Sequence, residues 1–193
     1  MSTTATTASD QQAKTGQLFL IRGLIAIAWA VGFASAANSL TAGVTVGAAV
    51  LVVAYPLIDV VASLIDARTQ HGSARRVLLT GAATSAIAAA ALGVAATGSV
   101  ADVLAVFGVW AAVSGAAQLV TAVRRRAQFG MQWPMLLAGG VSVILGFMFV
   151  IAASGAEPRL TMLSVYAATG GIDFLIESWL LARRRHRLAA VPA

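Results

Sequence analysis

The chain contains no cysteine, which excludes disulfides, thiolate metal sites and cysteine nucleophiles. Charge is also scarce. Only 10% of the 193 residues are Asp, Glu, Lys or Arg, against about 25% in a soluble domain. The two histidines, His71 and His186, fall in basic segments, and no histidine–carboxylate set has metal-ligand spacing. Neither a phosphate-binding loop nor a nucleophile elbow is present. These absences exclude most soluble-enzyme chemistries and imply no cofactor and no catalytic residues.

What remains is apolar. Hydrophobic residues make up 59% of the chain, and mean hydropathy is +0.86. A bilayer core of roughly 30 Å needs about 20 apolar residues per helix. Six such stretches are present, at Leu18–Ala37, Ala42–Ile65, Val77–Ala96, Val100–Val123, Trp133–Ala153 and Leu160–Leu181. Backbone groups in lipid must be satisfied within the protein, and the runs lack the alternation of a membrane barrel, so they predict helices. The expected fold is an all-α polytopic bundle of six transmembrane helices in a single membrane domain, residues 18–182. Residues 1–17, rich in Ser, Thr, Ala and Gln, predict a disordered tail. Residues 183–193 predict a basic tail. The first apolar run begins late for a cleaved leader and is read as a retained helix.

The net charge of +6 does not point to nucleic acid, because the arginines sit at helix ends. Arg68, Arg75 and Arg76 lie between the second and third runs, and Arg124, Arg125 and Arg126 between the fourth and fifth. Arg183, Arg184, Arg185 and Arg187 follow the sixth, and Lys14 precedes the first. On the opposite side the connections hold one basic residue, Arg159, beside Glu157 and near Asp102. Basic connections stay cytoplasmic, so both termini are expected inside. Anionic lipids are natural partners for the arginine clusters. Twelve of the thirteen cations are Arg, and Ala is abundant, as in proteins of GC-rich bacteria, so the expected location is a bacterial inner membrane. Homo-oligomerisation stays open.

The chain also repeats. Gly23, Gly81 and Gly139 recur at intervals of 58 residues and are candidate helix-packing positions, since small residues let helices approach in a membrane. Tyr55–Asp59, Ala111–Gly115 and Thr169–Asp173 fall at similar depth in the even runs, each of which then exits into basic residues. Three tandem helical hairpins of parallel orientation follow from this reading. Gly43 with Gly47, and Ala112 with Ala116, have the spacing of further small-residue contacts. The third run is so rich in Ala and Gly that it is expected inside the bundle. Pro56 should kink the second helix, and Pro134 suits a first-turn position. Trp133 and Trp179 are expected as interfacial anchors, and Trp29, Trp110 and Tyr166 as core.

Four charges fall within the spans: Arg22, Asp59, Asp173 and Glu177. Such residues face protein or water and mark candidate polar sites, because a mid-membrane charge costs about 2.5–3.5 kcal/mol. Counting depth along the helices pairs Arg22 with Asp59. Asp173 matches Asp59 in the repeat but lacks an arginine of its own hairpin, since Thr80 and Ala138 occupy the positions equivalent to Arg22. Glu177 lies one turn on, shallow enough to reach Arg183 or Arg184 or to snorkel.

Several of these segments resemble one family. Arg22-Gly-Leu-Ile-Ala-Ile-Ala-Trp-Ala-Val-Gly32 resembles the arginine–glycine opening of HdeD-like membrane proteins, and Tyr55-Pro-Leu-Ile-Asp59 their aspartate-bearing second helix. Trp133-Pro-Met-Leu-Leu-Ala-Gly-Gly-Val-Ser-Val-Ile-Leu-Gly146 and Thr169-Gly-Gly-Ile-Asp173 resemble their fifth and sixth helices. The chain departs where Val60 follows Asp59 instead of the family's usual glycine, and the connection after the first run lacks its frequent proline. The resemblance implies six helices in hairpin repeats and a link to acid resistance. It implies no catalytic residues, and Arg22 and Asp59 carry over only as motif positions. Two functions stand open at this point. One is a non-enzymatic membrane protein of stress tolerance or membrane organisation. The other is a small proton or cation channel or transporter using Asp59, Asp173 and Glu177.

Overall fold

A computed structural model describes residues 2–37, 43–129 and 133–189. Side chains of residues 1–15, 37, 125, 127–129, 134 and 184–189 also lie outside the described set, and with them the readings made for Lys14, Arg125, Pro134, Arg184, Arg185, His186 and Arg187. The described residues form six helices: α1 (Ser2–Ala37), α2 (Val46–Thr69), α3 (Gly72–Ala95), α4 (Val100–Phe129), α5 (Trp133–Ala153) and α6 (Met162–Ala189). Helices α1 to α5 contain stretches long and apolar enough to cross a membrane. The sixth expected span is a helix too, but Asp173 and Glu177 make it less apolar than the rest. Both terminal helices overrun the expected boundaries. α1 starts at Ser2, inside the segment read as a disordered tail, and α6 runs on to Ala189. The reason is local: Ser2–Gln17 holds no Pro and a single Gly, Gly16, whose cost of about 1 kcal/mol does not end a helix already nucleated in the apolar run.

Short caps set the other ends. Thr45 accepts a hydrogen bond from the Ala48 amide at 3.2 Å and opens α2. Ser99 and Asp102 form a reciprocal cap on α4, with amide-to-side-chain distances of 2.8 and 3.2 Å. Only Gln70 and His71 separate α2 from α3, and Gly72 takes the left-handed φ of +59° that this tight reversal demands.

The helices form a ring. Each packs against its neighbours in chain order, and α6 closes onto α1. The closest interfaces are α2–α3, α4–α5 and α6–α1, all of which join helices from different expected hairpins. Contacts between α1 and α2, α3 and α4, and α5 and α6 are sparser. α3 is an ordinary member of this ring and not a central helix, as Ile87 and Val94 face outward at 71% and 74% exposure. Of its alanines, Ala82, Ala88, Ala89 and Ala95 are buried, whereas Ala83, Ala86 and Ala90 are exposed.

Glycine explains two of the three close interfaces. Lipid is as apolar as leucine, so helices associate by close van der Waals fit and polar contact. A Cβ on Gly115 would stand 2.6 Å from the Gly139 carbonyl oxygen, and one on Gly146 2.6 Å from the Gly108 carbonyl oxygen. Gly23 and Gly171 oppose each other in the same way, with Gly171 O only 2.9 Å from a Cβ built on Gly23. The expected contact at Gly81 is not made, and nothing lies within 4 Å of a Cβ there. Gly43 and Gly47 likewise meet nothing. Ala112 does pack, against Gly146, whereas Ala116 is exposed.

Candidate functional site

Aromatic residues are few, at 7% of the chain, yet one cluster gathers seven of them. Trp29 and Phe33 come from α1, Tyr55 from α2, Phe107 and Trp110 from α4, Phe149 from α5 and Tyr166 from α6. Tyr55 contacts Phe107 and Trp110 at centroid distances of 5.9 Å and Tyr166 at 6.1 Å. Helices α2, α4 and α6 are not ring neighbours, so these rings meet across the interior. Most pairs are edge-on, the arrangement favoured by the ring quadrupole and worth about 0.5–1.5 kcal/mol each beyond burial. Phe33, Phe107 and Phe149 are all but fully buried. They sit near the ends of their helices away from the arginine clusters, so the cluster closes that half of the ring.

Beneath the cluster lies a polar chain. The Trp110 indole N–H donates to Ser85 Oγ at 3.1 Å, and the Ser85 hydroxyl donates to Asp59 Oδ2 at 2.7 Å. Ser85 is 1% exposed. It supplies the α2–α3 interface with a hydrogen bond where the other two close interfaces have facing glycines. Trp29 donates to the Leu51 carbonyl at 2.7 Å, next to the Val52 carbonyl that Pro56 deprives of its helical donor. Tyr166 OH and Ser142 Oγ lie 3.3 Å apart.

A second polar group occupies the basic end. Arg22 pairs with Asp66 at 3.4 Å and lies over the Phe174 ring at 5.6 Å. The expected Arg22–Asp59 pair is therefore not formed. Asp59 and Asp66 share a face of α2, seven residues apart, so depth alone decides the choice. Hydropathy gave Leu18 as the start of α1, but the helix has no end there, and Arg22 sits nearer the basic end than that count implied. Glu177 is within electrostatic reach of Asp173 and Arg22. Its expected partner Arg183 instead stacks on Trp179, 3.9 Å from the ring centre.

Asp173 is not the counterpart of Asp59. The glycine contacts set Gly171 opposite Gly23 and Gly115 opposite Gly139. Gly115 and Gly171 are 56 residues apart, and 56 residues before Gly115 is Asp59. Asp173 lies two residues further on, a turn of about 200° around the helix. The candidate residues thus separate into Asp59 with Ser85 and Trp110, and Arg22 with Asp66, Asp173 and Glu177. Sequence reasoning missed Ser85, Asp66 and most of the aromatic cluster. The available signal was the isolated ring in each Ala/Gly/Val-rich run. Trp29 and Trp110 are buried as expected, and Trp133 and Trp179 are exposed at 61% and 52%. Among the described residues no three His, Asp or Glu side chains gather as a metal site.

Residues 81–151 match a known family. That family, DUF308, is described as a short repeat of unknown function. The match covers the larger part of α3, all of α4 and most of α5, less than half of the chain. No curated protein and no solved structure matches the chain.

Proposed function

We infer that the chain is a non-enzymatic, integral inner-membrane protein of HdeD-like type, built of three tandem hairpins with both termini cytoplasmic. It serves acid or stress tolerance, or membrane organisation, through packing and lipid contact. The observation that carries this reading is the aromatic closure of the ring interior. It leaves Asp59 on the basic side of the cluster, where Ser85 donates a hydrogen bond to it. The match to a short repeat supports the repeated architecture. The exposed apolar faces of α1, α2 and α5 support the bilayer as principal partner, and the arginine clusters support anionic lipid as a second.

The test is acid survival of a host strain lacking the gene, complemented with wild type or with Asp59→Asn plus Asp173→Asn. Both proteins must reach the membrane in equal amount. The scaffold reading expects equal rescue. Rescue by wild type alone would instead favour the alternative, a small proton or cation channel or transporter. The observation behind that alternative is the gathering of Asp173 and Glu177 near Arg22 toward the basic end of the bundle.

A further inference from the structure

At the α2–α3 corner, Leu64, Ala67, Arg68, Arg75 and Leu79 line a pocket of about 220 Å³. Arg68 closes the last turn of α2, and Arg75 stands in the first turn of α3. The two-residue connection and Gly72 hold these turns together, so the two cations belong to one small, rigid corner. Both side chains are exposed, and among the described residues neither has a carboxylate partner. The nearby Asp66 is committed to Arg22. The walls below are apolar: Leu64 is exposed, Leu79 is half-buried and Ala67 forms the buried floor. Cations above and an apolar wall below fit a molecule with an anionic head and a hydrocarbon body. The level is right as well, since the same end of the bundle carries the exposed Trp133 and Trp179 that mark a membrane interface.

We propose that this corner is a binding site for an anionic phospholipid, with the phosphate held between Arg68 and Arg75 and an acyl chain along Leu64 and Leu79. Guanidinium groups suit phosphate because their planar donors match its oxygens in pairs. The site rests on the bilayer reading above and is independent of any role in acid tolerance.

Native mass spectrometry of the full-length protein in detergent provides the test, with phosphatidylglycerol, phosphatidylcholine and inorganic phosphate as separate probes. Wild type should retain phosphatidylglycerol in preference to phosphatidylcholine, and inorganic phosphate at equal concentration should not displace it. Arg75→Gln should weaken retention about fivefold, and Arg68→Gln with Arg75→Gln about 30-fold, the effect of one and two cationic contacts. Arg124→Gln with Arg126→Gln, which removes equal charge elsewhere at the basic end, should leave retention within about twofold of wild type, less than one such contact. Equal losses in the two double variants would overturn the site while leaving general attraction of anionic lipid to the basic end intact. Equal retention of phosphatidylcholine, or ready displacement by inorganic phosphate, would overturn it as well. The single Arg75→Gln change lies at an exposed position, so its result stands even if the double variant does not fold.

Discussion

At the residue scale, the decisive interactions are those that keep polar atoms satisfied inside a membrane. Ser85 joins Asp59 to Trp110, accepting from one side and donating to the other. Ser85→Ala should destabilise the protein by about 1–2 kcal/mol in an SDS-unfolding titration, because both partners lose their bond at once. Asp59→Asn keeps an acceptor for the serine and should cost less than Ser85→Ala. If the two variants were equally destabilised, the linking role of Ser85 would be wrong. The absence of cysteine makes proximity tests clean. Arg22→Cys with Asp66→Cys should crosslink through a short bifunctional thiol reagent, and Arg22→Cys with Asp59→Cys should crosslink far less. The reverse preference would restore the pairing expected from sequence. That pairing failed for a physical reason. A hydropathy profile marks where a run becomes apolar, whereas depth depends on where one helix sits against another. The four intramembrane charges were legible because their cost in lipid makes them conspicuous. Ser85 was not, since a serine in an alanine-rich helix looks like one more small residue.

At the element scale, fit between helices depends on which glycines face a neighbour. Gly23 and Gly139 do, and Gly81, at the same interval in sequence, does not. Periodicity therefore located the repeat but not every contact. The α2–α3 interface is joined instead at Ser85, which donates to Asp59, and Ala82 and Ala89 are buried near it on α3. Substitution separates the two classes. Gly146→Ala forces a methyl group to within 2.6 Å of the α4 backbone, and overpacking of that kind costs about 1–3 kcal/mol. Gly81→Ala and Gly32→Ala meet open space and should leave stability unchanged or slightly raised, given the better helix propensity of alanine. Unfolding in mixed micelles checks all three, and a loss at Gly81 equal to that at Gly146 would contradict the packing described. The helices themselves were readable almost to the residue at α5, Trp133–Ala153, where the apolar run and the helix coincide. They were least readable at α1 and α6, where polar residues continue a helix that hydropathy alone ends.

At the scale of the whole molecule, six helices close into a ring whose close interfaces fall between the sequence hairpins. A linear reading favours partners adjacent in sequence, but the tightest fit forms where glycine faces glycine, and at α6–α1 those residues stand at opposite ends of the chain. Closure itself can be tested. A Cβ on Gly16 would stand 3.8 Å from the Cβ of Leu181, about the separation of a native disulfide. Gly16→Cys with Leu181→Cys should therefore form an intramolecular disulfide under mild oxidation, seen as a reducible shift of the monomer band. Formation of dimers alone would contradict the ring. The proposed function turns on the interior of that ring. Aromatic side chains from five helices fill one half, and the charged residues collect in the other. No sequence pattern announced this, because the rings come from five separate runs and meet only once the ring closes. The most direct test is proton flux in vesicles reconstituted with folded wild-type protein under an imposed pH gradient. The account predicts flux no greater than that of empty vesicles. A clear flux that Asp173→Asn abolishes would contradict it, and would make the carboxylates of the basic half part of a pathway through the ring.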